Sequence, residues 1–169
     1  MTDDFPNLLP GFEFRQAEDP SDEQLLDDVR EYGWHVVLIQ EDETGPAYGF
    51  TVGLHARTLQ PEIVMMGLPL DLTHELLNDI AAWMMDGEVI VPGRRYSEFI
   101  EGREVVFQPI DPSQYHDHLG YANWFYRDLG SPFPALQCLW PDSEDRFPQD
   151  AGFDPRLIAR QPDLSKPVA

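Results

Sequence analysis

Apolar residues recur along this chain in two rhythms. In residues 21–33, Leu25, Leu26, Val29 and Tyr32 stand three or four apart, the spacing of one face of an amphipathic helix. Ser21 with Gln24 three residues later reads as a capping box, Asp22 and Glu23 suit the first-turn dipole, and Gly33 suits a left-handed stop. The period then shortens. Residues 34–40 (WHVVLIQ) and 47–54 (AYGFTVGL) are apolar and β-branched, and the polar turn at 41–46 between them predicts a hairpin. A loop over 55–60 leads to a third strand at 61–69 (PEIVMMGLP), ended by Gly67 and Pro69. Asp71 is the expected cap of a second helix running to Gly87, with Leu72, Thr73, Leu76, Leu77, Ile80, Trp83 and Met84 on one broad face. Residues 88–91, a Pro92-Gly93 turn and residues 103–110 supply further strand; 113–129 predicts a helix bent at Gly120, and 133–140 a last apolar strand.

Flanking segments follow a different logic. Residues 1–20 read as an arm punctuated by Pro6, Pro10 and Pro20, and Phe5, Leu8, Leu9, Phe12 and Phe14 give it reason to lie on the domain. Five prolines after residue 140 mark residues 142–169 as a wrapping tail, leaving a compact domain over 21–141. No repeat, low-complexity block or dividing linker interrupts it. Helix, hairpin, strand, helix, then strands is the order of an α+β fold: a single domain, mainly antiparallel sheet with two or three packed helices.

Composition narrows the class of function. At 169 residues and 42% hydrophobic, one core buries about 70% of the unfolded surface, so neither metal nor disulfide is needed for folding. The single cysteine, Cys138, excludes an internal disulfide and a Cys-rich zinc site. No apolar run approaches the roughly 18 residues of a membrane helix, and the first residues lack a basic, then apolar, leader, so a cytoplasmic location is expected. A net charge of −20 repels phosphate backbones and anionic membranes, which argues against nucleic-acid and membrane partners. Thirteen acids against two arginines in the first 45 residues form either a face for a basic partner or a solubilising surface.

Candidate chemistry is sparse. Gly49 and Gly53 sit within a strand, where glycine marks a bulge or the close approach of another backbone or a ligand, unless a helix or the N-terminal arm packs closely against them. Alternation puts Tyr48, Phe50, Val52 and Leu54 on one face and Gly49, Thr51, Gly53 and His55 on the other. That small, polar face is the candidate ligand site, with Thr51 and His55 as anchors; Gly53→Val is then expected to abolish binding with little loss of stability. Arg94 and Arg95, after the Pro-Gly turn and ahead of Arg103, can hold an anion or pair with the many acids. Among His35, His55, His74, His116 and His118, the pair at 116 and 118 has chelating spacing on a strand but points about 200° apart on the expected helix, so no metal site is assigned. Trp124 is either an exposed contact residue or buried beneath the tail. No nucleophile elbow, phosphate loop or dinucleotide loop is present.

Several of these stretches together carry a family resemblance: Gly33-Trp34, Phe50-Thr51-Val52-Gly53-Leu54, Pro61-Glu62-Ile63-Val64, Gly67-Leu68-Pro69, Leu76-Leu77-Asn78, Leu119-Gly120-Tyr121-Ala122, and Pro134-Ala135-Leu136-Gln137 into Trp140-Pro141-Asp142. Over about residues 21–150 the chain resembles the bacterial family known as domain of unknown function 4262. That resemblance implies no activity, cofactor or catalytic residue. A looser likeness to split-barrel flavin-binding proteins rests on the hairpin and the small-residue strand face alone. The expectation is a binding domain for a small ligand or a protein. A flavin- or metal-dependent enzyme using His55 or His118, and an acidic immunity or anti-restriction type of interaction protein, are the alternatives. Cofactor and oligomeric state are not named by any residue.

Overall fold

A computed structural model describes residues 7–168; the arm residues Phe5 and Pro6 lie outside the described residues. The chain builds α1 (Pro20–Tyr32), β1 (His35–Ile39), β2 (Tyr48–Val52), α2 (Leu54–Thr58), β3 (Glu62–Met66), α3 (Leu70–Met85), β4 (Arg95–Ile100), β5 (Arg103–Pro109), α4 (Tyr115–His118), α5 (Gly120–Phe125) and β6 (Ala135–Leu139). The six strands form one sheet in the order β1-β2-β3-β6-β5-β4. Every neighbouring pair is antiparallel except the central one, β3 with β6, where Glu62 stands beside Ala135 and Met65 beside Cys138. The fold is therefore α+β, with a mainly antiparallel sheet.

Alternation along the strands sorts two cores. Ile63 and Met65 of β3, with Val105 and Phe107 of β5 and Leu136 and Cys138 of β6, meet Leu76, Leu77, Ile80 and Met84 of α3. On the opposite face Val37, Phe50, Val64 and Met66 meet Leu25, Leu26 and Val29 of α1, together with Ala122 and Phe125 of α5. Both central strands are buried along their whole length, as strands covered on two faces must be. The segment from Phe153 to Leu164 returns along the end of β6: Gln161 brackets the Trp140 backbone, accepting from its N–H at 3.1 Å and donating to its carbonyl at 2.8 Å. Gln137 donates to the Pro162 carbonyl and accepts from the Leu164 N–H.

Several local expectations change. Helix α1 is capped two residues earlier than Ser21: the Asp19 carboxylate accepts from the Asp22 N–H and the Asp22 carboxylate accepts from the Glu18 N–H, both at 2.9 Å. The reciprocal box is made by two aspartates because Pro20 pre-sets the first helical position. Helix α3 likewise starts at Leu70, directly after Pro69, and not on an Asp71 cap. Residues 55–58, expected as loop, belong to α2, which takes His55 off the strand. Residues 88–91 pair with no strand: side chains satisfy their backbone, with Gln60 accepting from the Ile90 N–H and the Tyr96 hydroxyl from the Val91 N–H. The sheet edge is instead β4, which begins at Arg95. Residues 113–129 split at Leu119, whose backbone leaves the helical region (φ −120°, ψ 44°), and the Asn123 amide caps the broken end by donating to the Tyr115 carbonyl at 2.8 Å.

Candidate functional site

The end of β2 and the start of β3 frame a buried carboxylate. Gly53, at φ 97°, turns the chain out of β2 into α2, a left-handed step that glycine makes without the penalty of a Cβ. That turn directs two backbone N–H groups at Glu62, from Gly53 at 3.0 Å and from His55 at 3.1 Å. The Thr51 hydroxyl donates to the other carboxylate oxygen at 2.7 Å and itself accepts from the Ile63 N–H. From α5's end, the Tyr126 hydroxyl donates to Glu62 while accepting from the Ala56 N–H. Complete burial pushes the Glu62 carboxyl up from an ordinary 4.5 to about 7, against the pull of these four donors. Burial and the facing carboxylate push the Tyr126 phenol well above its usual range.

Three of the residues singled out by sequence, Thr51, Gly53 and His55, are thus gathered on one group, and the group they serve is Glu62. The sequence signal for it was a lone acid opening an otherwise apolar strand. His55 contributes its backbone; its ring, set edge-on to Tyr126 at 5.8 Å, donates from Nδ1 to the Gln60 carbonyl at 3.0 Å, and burial lowers its pKa. The two glycines are close-approach sites for side chains. A Cβ at Gly53 would lie 2.7 Å from a Val29 methyl, and one at Gly49 would lie 2.9 Å from Thr73 and 3.1 Å from Leu77. Helices α1 and α3 fill the space beside that strand.

The arginines stand apart from it. Arg94 lies over the Tyr96 ring at 5.3 Å, and Arg95 over Phe147 at 4.8 Å with Glu104 at 3.9 Å. Both sit at the β4 edge, four strands away from β2. Arg103 donates to Asp145 at 2.6 Å. Burial pushes the Cys138 thiol up, away from thiolate chemistry. Among the described residues no three His, Cys, Asp or Glu groups converge as a metal set. Trp124 is half-buried, with the arm's Arg15 over its ring at 5.6 Å. His35 and His74 share a cavity beside Trp34.

A concavity of about 640 Å³ lies at the other end of β2. The hairpin wall supplies Ile39, Asp42 and Tyr48, α4 supplies Asp117 and His118, and the C-terminal segment supplies Asp163 and Leu164. Tyr48 crosses the groove and donates to the His118 carbonyl at 2.8 Å, while the His118 ring donates from Nδ1 to Gln114. Hydrogen bonds from the Thr44 hydroxyl and N–H lower the Asp42 pKa. Partial burial raises Asp163, but bonds from Ser165 and Gln108 outweigh it and leave its pKa lowered. Asp117 has no hydrogen bond or ion pair among the described residues. No arginine or lysine is among the groove's described lining residues, though Lys166 pairs with Asp163 at 3.9 Å from beside it.

A family model described as Domain of unknown function (DUF4262) matches residues 28–154. No curated protein and no solved structure matches the chain.

Proposed function

Because the chain belongs to the DUF4262 family, whose description names no chemistry, we propose from the groove itself that the protein binds a small organic cation, an amine or guanidinium on an apolar body. The observation that supports this reading is that three carboxylates from three separate segments, Asp42, Asp117 and Asp163, line one groove together with the apolar Ile39, Tyr48, Met66 and Leu164. Pockets of this kind take affinity from apolar walls and orientation from a few fixed polar groups. A positive head gains from all three acids, and the −20 charge of the whole chain draws cations toward it before contact. In this reading Thr51, Gly53 and His55 hold the frame at the far end of β2 and do not touch the ligand.

Titration calorimetry with phenethylamine, and with 2-phenylethanol as its uncharged counterpart, tests the assignment. The amine binds at least about tenfold tighter, the equivalent of roughly 1.4 kcal/mol, and Asp117→Asn combined with Asp163→Asn removes that advantage. Equal affinities for amine and alcohol would sink the proposal, as would an unchanged amine affinity in the double variant.

A further inference from the structure

On the other side of the hairpin, where α1 hands over to β1, a cavity of about 350 Å³ opens between Asp28, Tyr32, Trp34, His35, His74 and Asn78. Two hydrogen-bond chains set the protons around it. In the first, Gln24 donates to Asp28 at 2.8 Å, and the other Asp28 oxygen lies 2.7 Å from Nδ1 of His35. A carboxylate only accepts, so Nδ1 carries the hydrogen, and whenever the ring is neutral Nε2 is the nitrogen that keeps a lone pair. In the second, the Trp34 indole N–H donates to Oδ1 of Asn78 at 2.9 Å, which fixes the amide and leaves its nitrogen as donor toward Nε2 of His74 at 3.3 Å. The remaining hydrogen of His74 therefore sits on Nδ1.

The cavity thus combines an acceptor on His35, a donor on His74 and the rings of Trp34 and Tyr32. Trp34 packs its ring against the α3-side core, but the polar rim stays open: Asp28 and His35 side chains remain 24% and 21% exposed, and Tyr32 is 53% exposed. We infer that this cavity is a second binding site, for an uncharged planar ring bearing a cyclic amide, the H–N–C=O edge shared by pyrimidinones, purinones and lactams. The ring's N–H donates to His35 and its C=O accepts from His74, while its face lies against the indole. Charge agrees with the choice. A neutral ring escapes the repulsion that a −20 chain exerts on a nucleotide's phosphate. The site is separate from the acidic groove and stands whether or not that groove binds amines.

The test uses the full chain, isotopically labelled, at about pH 8.5 so that free imidazoles are neutral. Uracil is titrated in, followed by 1,3-dimethyluracil, which keeps the ring and carbonyls but has no N–H. Uracil moves the Trp34 indole N–H and the His35 ring signals saturably, the dimethyl compound binds about tenfold or more weaker, and His35→Gln removes the difference. Absence of a saturable shift at Trp34, or equal affinity for the two compounds, overturns the inference. Should His35→Gln fail to fold, Asn78→Asp keeps a group of the same size and weakens uracil binding by upsetting the His74 proton. Unchanged affinity in that variant is equally fatal.

Discussion

At the scale of single residues, Glu62 is a buried group whose ionisation is coupled to folding close to neutral pH. Its carboxyl titrates at about 7 when folded and near 4.5 when unfolded, so between those values the folded chain holds the extra proton. Stability contributed by that proton is complete below about pH 4.5 and is lost as pH rises through 7, a change of at most about 3 kcal/mol. Chemical denaturation of wild type and Glu62→Gln across pH 5–8 therefore shows a difference that shrinks with rising pH, because the amide cannot titrate. A constant difference would contradict the assignment. Gly53 behaves differently from its sequence-level expectation. With φ at 97° and Val29 2.7 Å from the missing Cβ, Gly53→Val strains the backbone and overpacks the core together. We expect a loss of about 3 kcal/mol or more in thermal or urea unfolding, not a selective loss of binding.

At the scale of elements, the Tyr126 hydroxyl just past α5 is the hydrogen-bonding link to α2 and to Glu62. Tyr126→Phe leaves the Ala56 N–H without its acceptor and Glu62 without one of four donors, at a cost of about 1–3 kcal/mol in equilibrium unfolding. The C-terminal segment has a double role. Ending the chain after Arg160 removes the Gln161 bonds to Trp140 and, with Pro162, Asp163 and Leu164, one wall of the acidic groove. The truncated protein melts lower and loses its preference for phenethylamine over the alcohol; a retained preference would separate that wall from binding. These elements also show what sequence could carry. Period and β-branching revealed α1, the hairpin, β3, α3 and β6, because each buries a repeating apolar face. The register at the strand ends did not show: whether residue 55 continues β2 or starts α2 depends on a carboxylate seven residues ahead. Nor could local spacing join Asp42, Asp117 and Asp163, which meet only after the hairpin, α4 and the C-terminal segment pack around the same end of the sheet.

For the whole molecule, charge is the term that acts everywhere. Thirty-one acidic residues against eleven basic ones repel one another in the compact state. Added salt screens that repulsion, so the melting temperature rises between low and physiological ionic strength, by about 2–4 °C for each kcal/mol relieved. The same salt weakens phenethylamine binding and leaves uracil binding unchanged, since one ligand carries charge and the other does not. Calorimetry in two salt concentrations separates the two sites in a single protein sample.

The parallel pairing of β3 with β6 at the centre of the sheet has a consequence for the order of synthesis. About seventy residues separate the two strands, so when β3 leaves the ribosome its partner has not yet been made. For all of that interval Glu62–Met66 presents an open apolar edge, and the antiparallel strands that finish the sheet arrive on the far side of a gap. Closure waits for residues 135–139, which form the neighbour that covers the edge of β3 not paired with β2. Long-range parallel pairing of this kind is slow and leaves nascent chains open to aggregation. A ribosome stalled before residue 135 should therefore carry a chain that a general chaperone recognises at β3, and one stalled well beyond the C-terminus should not.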